Sequence, residues 1–408
     1  MSGEILFLAH RIPFPPDRGD KIRSHHLLKA LAQLAPVHVG CLAETDGDFS
    51  HEGELAAVAA SHCLARRNTS LPLAGLRALL SGRPVSLAAF DDAGLRAWVE
   101  RTLRERPIAA IYVFSGQMGQ FVPAGWQGRL VVDLVDVDSA KFDAFAAAGR
   151  GPMAWVHARE GRLLRAVERD LAARADVTLL VSEEEAALLR SRGAVGNIRA
   201  LGNGVNSAAF DPASPEQPEI AASSGPHFVF SGQMDYAPNE VAVARFAERI
   251  LPLIRGEHRE AQFHIVGRAP TATVQKLADL PGTRVWGEVP DMRPFLAAAD
   301  FVVAPLVIAR GVQNKVLEAM AMARPVLLSP EAATGIDAED GTHFAICRDD
   351  AAFAERALAM LAAPEQLRAM ALSARDFVSQ RMNWAAMLTD LPAILGFPAP
   401  SQDHCDAA

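Results

Sequence analysis

An α/β class with two doubly wound domains is predicted from three features of the chain. Short apolar runs alternate with longer helical segments from the first residues on. Residues 203–217, NGVNSAAFDPASPEQ, break that rhythm with Gly, Asn, Asp, Ser and Pro and few large apolar side chains, which marks a linker. Beyond it the alternation restarts. The expected first domain covers residues 1–205 and the second begins at 206. A length of 408 residues suits two or three domains, at roughly 100–200 residues each.

The elements follow in order. Ile5–Ala9 reads as a buried strand, His10–Gly19 as a proline-rich loop, and a helix starts near Asp20 as N-cap with Ile22, Leu27, Leu31 and Leu34 inward. Val37–Leu42 is the next strand. Later strands are expected at Ala110–Phe114, Leu130–Leu134 and Val177–Val181. After the linker, strands are expected at Phe228–Phe230, Gln262–Val266, Arg284–Trp286, Phe301–Ala304 and Val326–Ser329, with a last helical run over Pro364–Ile394. FSGQM occurs at Phe114–Met118 and again at Phe230–Met234; small residues suit any strand-to-helix turn, so the repeat reads as local chemistry rather than duplication.

Composition narrows the function classes. Half the residues are apolar and 22% charged, as in a soluble globular protein. A net charge of −8 and a pI near 5.9 argue against a nucleic-acid partner. Arg159, Arg162, Arg165 and Arg169, interleaved with Glu160 and Glu168, read as a solvated helix face with ion pairs, a membrane-surface contact being the alternative. Cys41, Cys63, Cys347 and Cys405 have no metal-like or paired spacing, which fits reduced thiols in a cytoplasmic protein. Met1–Arg11 shows no signal-peptide pattern, and Pro107–Gly128, the longest uncharged stretch, is too polar and too rich in Gly and Pro to span a membrane.

Chemistry concentrates in Leu306–Val326, LVIARGVQNKVLEAMAMARPV. A strand ends before it, Arg310–Gln313 form a loop, and a helix starts at about Asn314, burying Val316, Leu317, Met320 and Ala321. A helix N-terminus at the carboxyl end of a parallel strand offers unpaired N–H groups to an anion. Gly311 permits close approach, the amides of Gly311, Val312 and Gln313 face the loop, and Arg310 and Lys315 add charge. Glu318, four residues after Asn314, shares its helix face, where a carboxylate can accept both hydroxyls of a ribose. The plain alternative is a solvated Glu318 with Lys315 as helical neighbour. Three weaker turns lie at strand ends of the same half: Ser231–Gly232, with Asn239 expected as the following N-cap, Gly267–Arg268, and Gly287 in WGEV, whose backbone could line a flat base pocket. Each alone is more often a plain turn than a ligand contact.

In the first half, Gly19 in PFPPDRGDKIR lies before a helix with Arg18, Lys21 and Arg23 around it, either an anion or sugar approach or a rigid loop with solvated charges. Asp133, Asp136 and Asp138 follow a strand and are expected at one rim. Without a second ligand cluster they suggest hydrogen bonding to acceptor hydroxyls, or base work, rather than a metal.

On HRIPFPPDRGDKIR (10–23), VDLVDVDSAK (132–141), Val181–Glu184, Asn203–Val205, Ser231–Asn239 and ARGVQNKVLEAMA (309–321), the chain resembles family-four-type glycosyltransferases of the GT-B fold. Within them it looks like the PEP-CTERM/exosortase-A-associated glycosyltransferases of bacterial exopolysaccharide clusters. The resemblance implies two Rossmann-like domains facing across a cleft, with a nucleotide-sugar donor held by residues 206–373 and a saccharide or lipid-linked acceptor over the first domain. A closing helix, residues 374–396, is implied to cross back. It further implies no essential metal and retention at the anomeric carbon. No other cofactor is expected, and peripheral contact with the inner membrane stays an option that a lipid-linked acceptor would make useful, although no amphipathic anchor stands out in the sequence. The family has two Glu residues flanking seven others. Glu318 matches the second, the ribose ligand, and Arg310 stands at the first, where a sugar-facing carboxylate is usual. The family also carries Arg and Lys in the loop that here reads Ser231–Pro238, with Gln233 and no base. The expected catalytic set is Asp136, Asp138 and Arg310, with Arg310 and Lys315 neutralising the donor diphosphate. A sugar-nucleotide epimerase of the same fold and a non-catalytic nucleotide-binding subunit are the rival readings. An NAD oxidoreductase is disfavoured, because no GxGxxG follows the first strand.

Overall fold

A computed structural model describes residues 3–309 and 311–398. Strands β1 (Glu4–Ala9), β2 (Val37–Ala43), β3 (Ser61–Arg66), β4 (Ile108–Phe114), β5 (Arg129–Val135), β6 (Val177–Leu180) and β7 (Ile198–Ala200) form a parallel sheet in the order β3-β2-β1-β4-β5-β6-β7. Strands β8 (His227–Ser231), β9 (Gln262–Val266), β10 (Thr283–Gly287), β11 (Phe301–Ala304), β12 (Val326–Leu328) and β13 (Ala345–Ile346) form a second, in the order β10-β9-β8-β11-β12-β13. Helices connect parallel neighbours, so most inner strands are buried on both faces and read as near-continuous apolar runs. β3, β7 and β13 escape sequence reading because they lack such runs: β3 is only half-buried, β7 has three residues and β13 two.

The chain forms two compact units. One runs to Gly202 and is rejoined by the segment from Leu388; the other is Asn203–Met387. Each has its own core, around Leu6, Val113 and Val132 in the first and Phe228, Phe263 and Phe301 in the second. The helix Pro364–Arg381 packs on Asn314–Ala321, so residues 374–387 lie with the second unit rather than with the first. Only the shorter helix Leu391–Leu395 joins the first, where Ile394 O accepts a 2.9 Å hydrogen bond from Arg129 Nε.

Each sheet reverses strand order once, between β1 and β4 and between β8 and β11. Ligands of open α/β sheets bind outside the carboxyl ends of strands at such a reversal. The two FSGQM copies close β4 and β8, which are not equivalent in the two sheets, since β8 corresponds to β1. A duplication would have placed them on matching strands.

Three local expectations change. The first helix is Gly19–Leu34, with Arg18 at the N-cap position making no side-chain cap and Asp20 in its first turn; Leu27, Leu28 and Leu31 are inward, while Ile22 and Leu34 are only half-buried. Asn239 lies inside the first turn of helix Ala237–Arg245 rather than at its cap. Glu160 and Glu168 are buried and not part of a solvated face. Glu160 accepts the N–H groups of Val85 and Ser86, both at 2.8 Å, and Glu168 accepts Ser139 N–H at 2.8 Å. No helix among the described residues is long and apolar enough to cross a membrane.

Candidate functional site

In the second unit the reversal between β8 and β11 is flanked by the two segments that sequence reading singles out. Strand β8 ends at buried Ser231, and Gly232 N–H donates to Val266 O at 3.1 Å. Gly267 N–H donates to Gly287 O at 2.8 Å. The ends of β8, β9 and β10 are thus tied together by backbone alone. Glycine is required here: φ is +155° at Gly232, +150° at Gly267 and +73° at Gly287, and a Cβ on Gly267 would stand 1.6 Å from Gly232 O. The Gly287 carbonyl is therefore engaged. Trp286 is held by His264, at 3.2 Å from its Nε1, and by the ring of Phe295, so its side chain serves packing.

The helix Asn314–Ala321 begins where the sequence places it, after Gly311 at φ +62°. No side chain caps it at Gln313. Asn314 Oδ1 is buried without a hydrogen-bond partner. Lys315 turns its ammonium towards β8: Nζ donates to Asn239 Oδ1 at 2.7 Å and lies 3.9 Å from the centre of the Phe230 ring. A Cβ on Gly232 would come within 3.1 Å of that nitrogen, so the glycine turn and the ammonium share one small space. Burial lowers the Lys315 pKa to about 7, against the raising effect of Glu318. Burial likewise raises Glu318 to about 7, with Lys315 pulling it down. The Glu318 carboxylate has no hydrogen-bond partner among the described residues, which leaves its acceptor capacity unused. Val312 packs beside Gly335. Arg310 lies outside the described residues.

Two residues enter that sequence reading undervalues. Asn239, expected as a helix cap, bridges two loops: its Nδ2 donates to Gln233 O at 2.8 Å while Oδ1 holds Lys315. Exposed Arg268 donates to Gln233 Oε1 at 2.8 Å, so a guanidinium from the β9 loop covers the loop that has no base of its own. No spacing rule connects Asn239 to Lys315 or Arg268 to Gln233.

In the first unit the cations near Gly19 are already partnered; Lys21 and Arg23 are buried, and Arg18 is half-exposed. Lys21 donates to Asp48 at 2.8 Å, Arg23 to Asp133 at 3.0 Å and Arg18 to Glu44 at 3.1 Å. Gly19 itself faces open space, with nothing within 4 Å of an added Cβ. The expected carboxylate rim loses a member. Asp133 is fully buried within β5, where Tyr112 Oη also donates to it at 2.8 Å.

Asp136 and Asp138 remain beyond the strand end. Asp136 is exposed, yet desolvation by the surrounding protein, then the carboxylates of Glu185 and Asp138, push its pKa up to about 6. Burial also raises Asp138, which accepts a 3.1 Å hydrogen bond from Gln117 Nε2. Val135 at φ +68° and Ser115 at φ +77° are non-glycine residues in a left-handed backbone at adjacent strand ends, a strain that tends to accompany functional sites. His10, at the end of β1, stacks 5.7 Å from Phe114 and leaves Nδ1 without a partner. His10, Ser115 and Gln117 thus join Asp136 and Asp138 at the carboxyl edge of this sheet. His10 and the Ser-Gly of the first FSGQM were the available signals.

The model of the family described as "Glycosyl transferase 4-like domain" matches residues 19–204, and that of "Glycosyl transferases group 1" matches residues 225–363. Together they take in most of the chain. It belongs to the group 1 glycosyltransferases of the GT-B fold. No curated protein matches this glycosyltransferase significantly. Among solved structures, HepE of Anabaena in complex with UDP and glucose is similar over 97% of this chain and 100% of its own, with a TM-score of 0.68 and 15% identity. Sucrose-phosphate synthase of Thermosynechococcus elongatus is similar over 96% and 98%, with a TM-score of 0.67 and 17% identity. WaaG, a glycosyltransferase involved in lipopolysaccharide biosynthesis, is similar over 96% and 100%, with a TM-score of 0.62 and 17% identity. At these identities the likeness is one of fold. Among the described residues of the glycosyltransferase no group of three or more His, Cys, Asp or Glu side chains could hold a metal ion.

Proposed function

We propose that this glycosyltransferase moves a sugar from a nucleotide-sugar donor to a hydroxyl of a carbohydrate or lipid-linked acceptor, in bacterial exopolysaccharide synthesis of the exosortase-associated type. The observation that carries the reading is the mouth of the helix Asn314–Ala321. It combines an N-terminus without a side-chain cap, a half-buried ammonium at Lys315, an orphaned acceptor at Asn314 and a carboxylate without a hydrogen-bond partner one turn further in. Cation and amides suit a pyrophosphate; a carboxylate suits the adjoining ribose hydroxyls. The complexes of HepE with UDP and with UDP-glucose support the choice of ligand class.

The protein's own work is positioning and charge compensation. The departing nucleoside diphosphate gains negative charge, which Lys315, the glycine-turn amides and Arg310 are read as offsetting without a metal. Arg268, anchored on Gln233, adds a further cation at the β9 end. Asp136 and Asp138 are read as orienting the acceptor hydroxyl. Retention at the anomeric carbon, cytoplasmic placement and peripheral contact with the inner membrane belong to the same reading. Retention rests on the sequence resemblance, cytoplasmic placement on cysteines without paired spacing, and membrane contact on a lipid-linked acceptor.

Thermal unfolding in the presence of UDP, GDP, ADP and their sugars tests the donor class. A nucleotide at a hundredfold excess over its Kd stabilises by about 2.7 kcal/mol, a rise of several degrees in Tm. Release of nucleoside diphosphate is then measured for the chain and for Arg310→Ala and Arg310→Glu. Both substitutions are expected to slow turnover. Absence of any nucleotide-dependent shift, together with no diphosphate release from any sugar nucleotide, refutes the proposal.

A further inference from the structure

The helix Leu71–Ser81 in the first unit is turned the wrong way round for a water-facing helix. Its buried stripe is small, Ala74 and Ala78, four residues apart, packed on Ala88 and Ala89. Its outward face carries Leu73, Leu76, Leu79 and Leu80, which are 41%, 56%, 58% and 82% exposed. A surface helix normally presents charge on that side. The helix Pro152–Arg174 lies against its end: Arg159 Nη2 donates to Ala78 O at 2.9 Å. One turn before Arg159, on the same helix face, Trp155 is 62% exposed, with Met153 exposed nearby. Phe145, at the end of the helix Asp138–Ala148, is exposed beside His157, 5.6 Å between rings. Three helices of this unit therefore expose large apolar side chains, and the Arg159–Ala78 hydrogen bond joins two of them.

Charge selects the occupant. The chain as a whole carries −8, yet residues 67–90 contain Arg67, Arg77 and Arg83 and no carboxylate, and residues 144–159 contain Arg150 and Arg159 and no carboxylate. Exposed Arg77 and Arg150 have no acidic partner among the described residues. Leucines and a Trp interspersed with unpaired Arg match the two layers of an anionic membrane surface, acyl boundary and phosphate headgroups.

We propose that the leucine face of Leu71–Ser81, extended by Phe145, Met153 and Trp155, docks the enzyme on an anionic lipid surface. Arg77 and Arg150 sit at headgroup level. This deepens the peripheral placement in the proposed function and is independent of the donor chemistry. A single helix of this size gives weak, reversible binding, so the three-helix patch and the charges act together.

Vesicle flotation of the full chain tests the idea, using phosphatidylcholine alone and phosphatidylcholine mixed with phosphatidylglycerol. The parent is expected to float with the mixed vesicles, much less with neutral ones, and to release as salt rises. The double variant Leu76→Gln/Leu80→Gln should lose about tenfold or more in partitioning, and Arg77→Glu/Arg150→Glu a similar factor on the mixed vesicles only. Trp155→Ser probes the same surface from another helix, so misfolding of one variant leaves the question answerable. All these side chains are exposed, and Tm and the nucleotide-induced rise in Tm should stay at parent values. Loss of flotation with donor binding intact supports docking separately from the donor site. Equal flotation on both vesicle types, or unchanged flotation of the leucine and Trp variants, overturns it. So does a parent that ignores vesicles but sediments as a dimer that Leu76→Gln/Leu80→Gln splits, because a second copy then covers the face.

Discussion

The pH dependence of donor affinity is where the reading of Lys315 and Glu318 is most exposed to refutation. Burial holds both groups at about pKa 7, Lys315 from above and Glu318 from below. Clasping pyrophosphate needs the ammonium charged, and gripping ribose needs the carboxylate ionised. Below pH 7 Glu318 gains a proton and its acceptor capacity falls. Above pH 7 free Lys315 loses its proton, while the bound diphosphate favours the charged form, so binding must take a proton up. Affinity therefore peaks near pH 7 and falls on each side by up to tenfold per unit, about 1.4 kcal/mol. The diphosphate bridge of a sugar nucleotide does not titrate in this window, so both limbs belong to the protein. Lys315→Met removes the alkaline limb and costs about 1.5–3 kcal/mol at pH 7, the range for a hydrogen bond to a charged group. Glu318→Gln removes the acid limb. Isothermal titration from about pH 5.5 to about pH 9, in buffers paired by ionisation heat, reads affinity and proton uptake together. A flat profile in the parent, or an alkaline limb that survives in Lys315→Met, refutes the assignment.

Two further outcomes concern the fold beneath the sites. Gly267→Ala places a methyl 1.6 Å from Gly232 O and must move backbone, so a loss of about 2–4 kcal/mol is expected in denaturant unfolding, with donor binding lost alongside; an unfolding midpoint equal to the parent's would show that the turn is not tightly held. Glu168 is raised from 4.5 to about 7 by burial, against the hydrogen bonds from Ser139. Its protonated form therefore favours the fold, a contribution full below about pH 4.5 and lost as pH rises through about 7. Glu168→Gln should raise stability at alkaline pH by about 1–3 kcal/mol and leave it near the parent's value in acid; equal shifts at both ends contradict the assignment.

Elements set by period and local turn chemistry were legible. The apolar runs of β1, β4 and β11, the mostly apolar β5 and β9, the polar break at Asn203, and the helix start at Asn314 all appear where the sequence puts them. The candidate site was legible to the same extent. Gly232 and Gly267 were visible as turns, but not the 1.6 Å reason for glycine at 267. Lys21, Arg23 and Asp133 misled for the opposite cause: charged letters suggest a rim, while their partners bury them.

By itself, then, the sequence determined the two-domain α/β alternation and the placing of small and charged residues at strand ends, because hydrophobic period and backbone freedom are properties of neighbours along the chain. Only tertiary structure decided that Asn239 would hold Lys315 across 76 residues, that Arg268 would cover Gln233, and that the leucines of Leu71–Ser81 would face outward. Burial and partnership depend on which distant segments meet. An apolar stripe records that a helix has two faces, and the fold chooses which one meets the core.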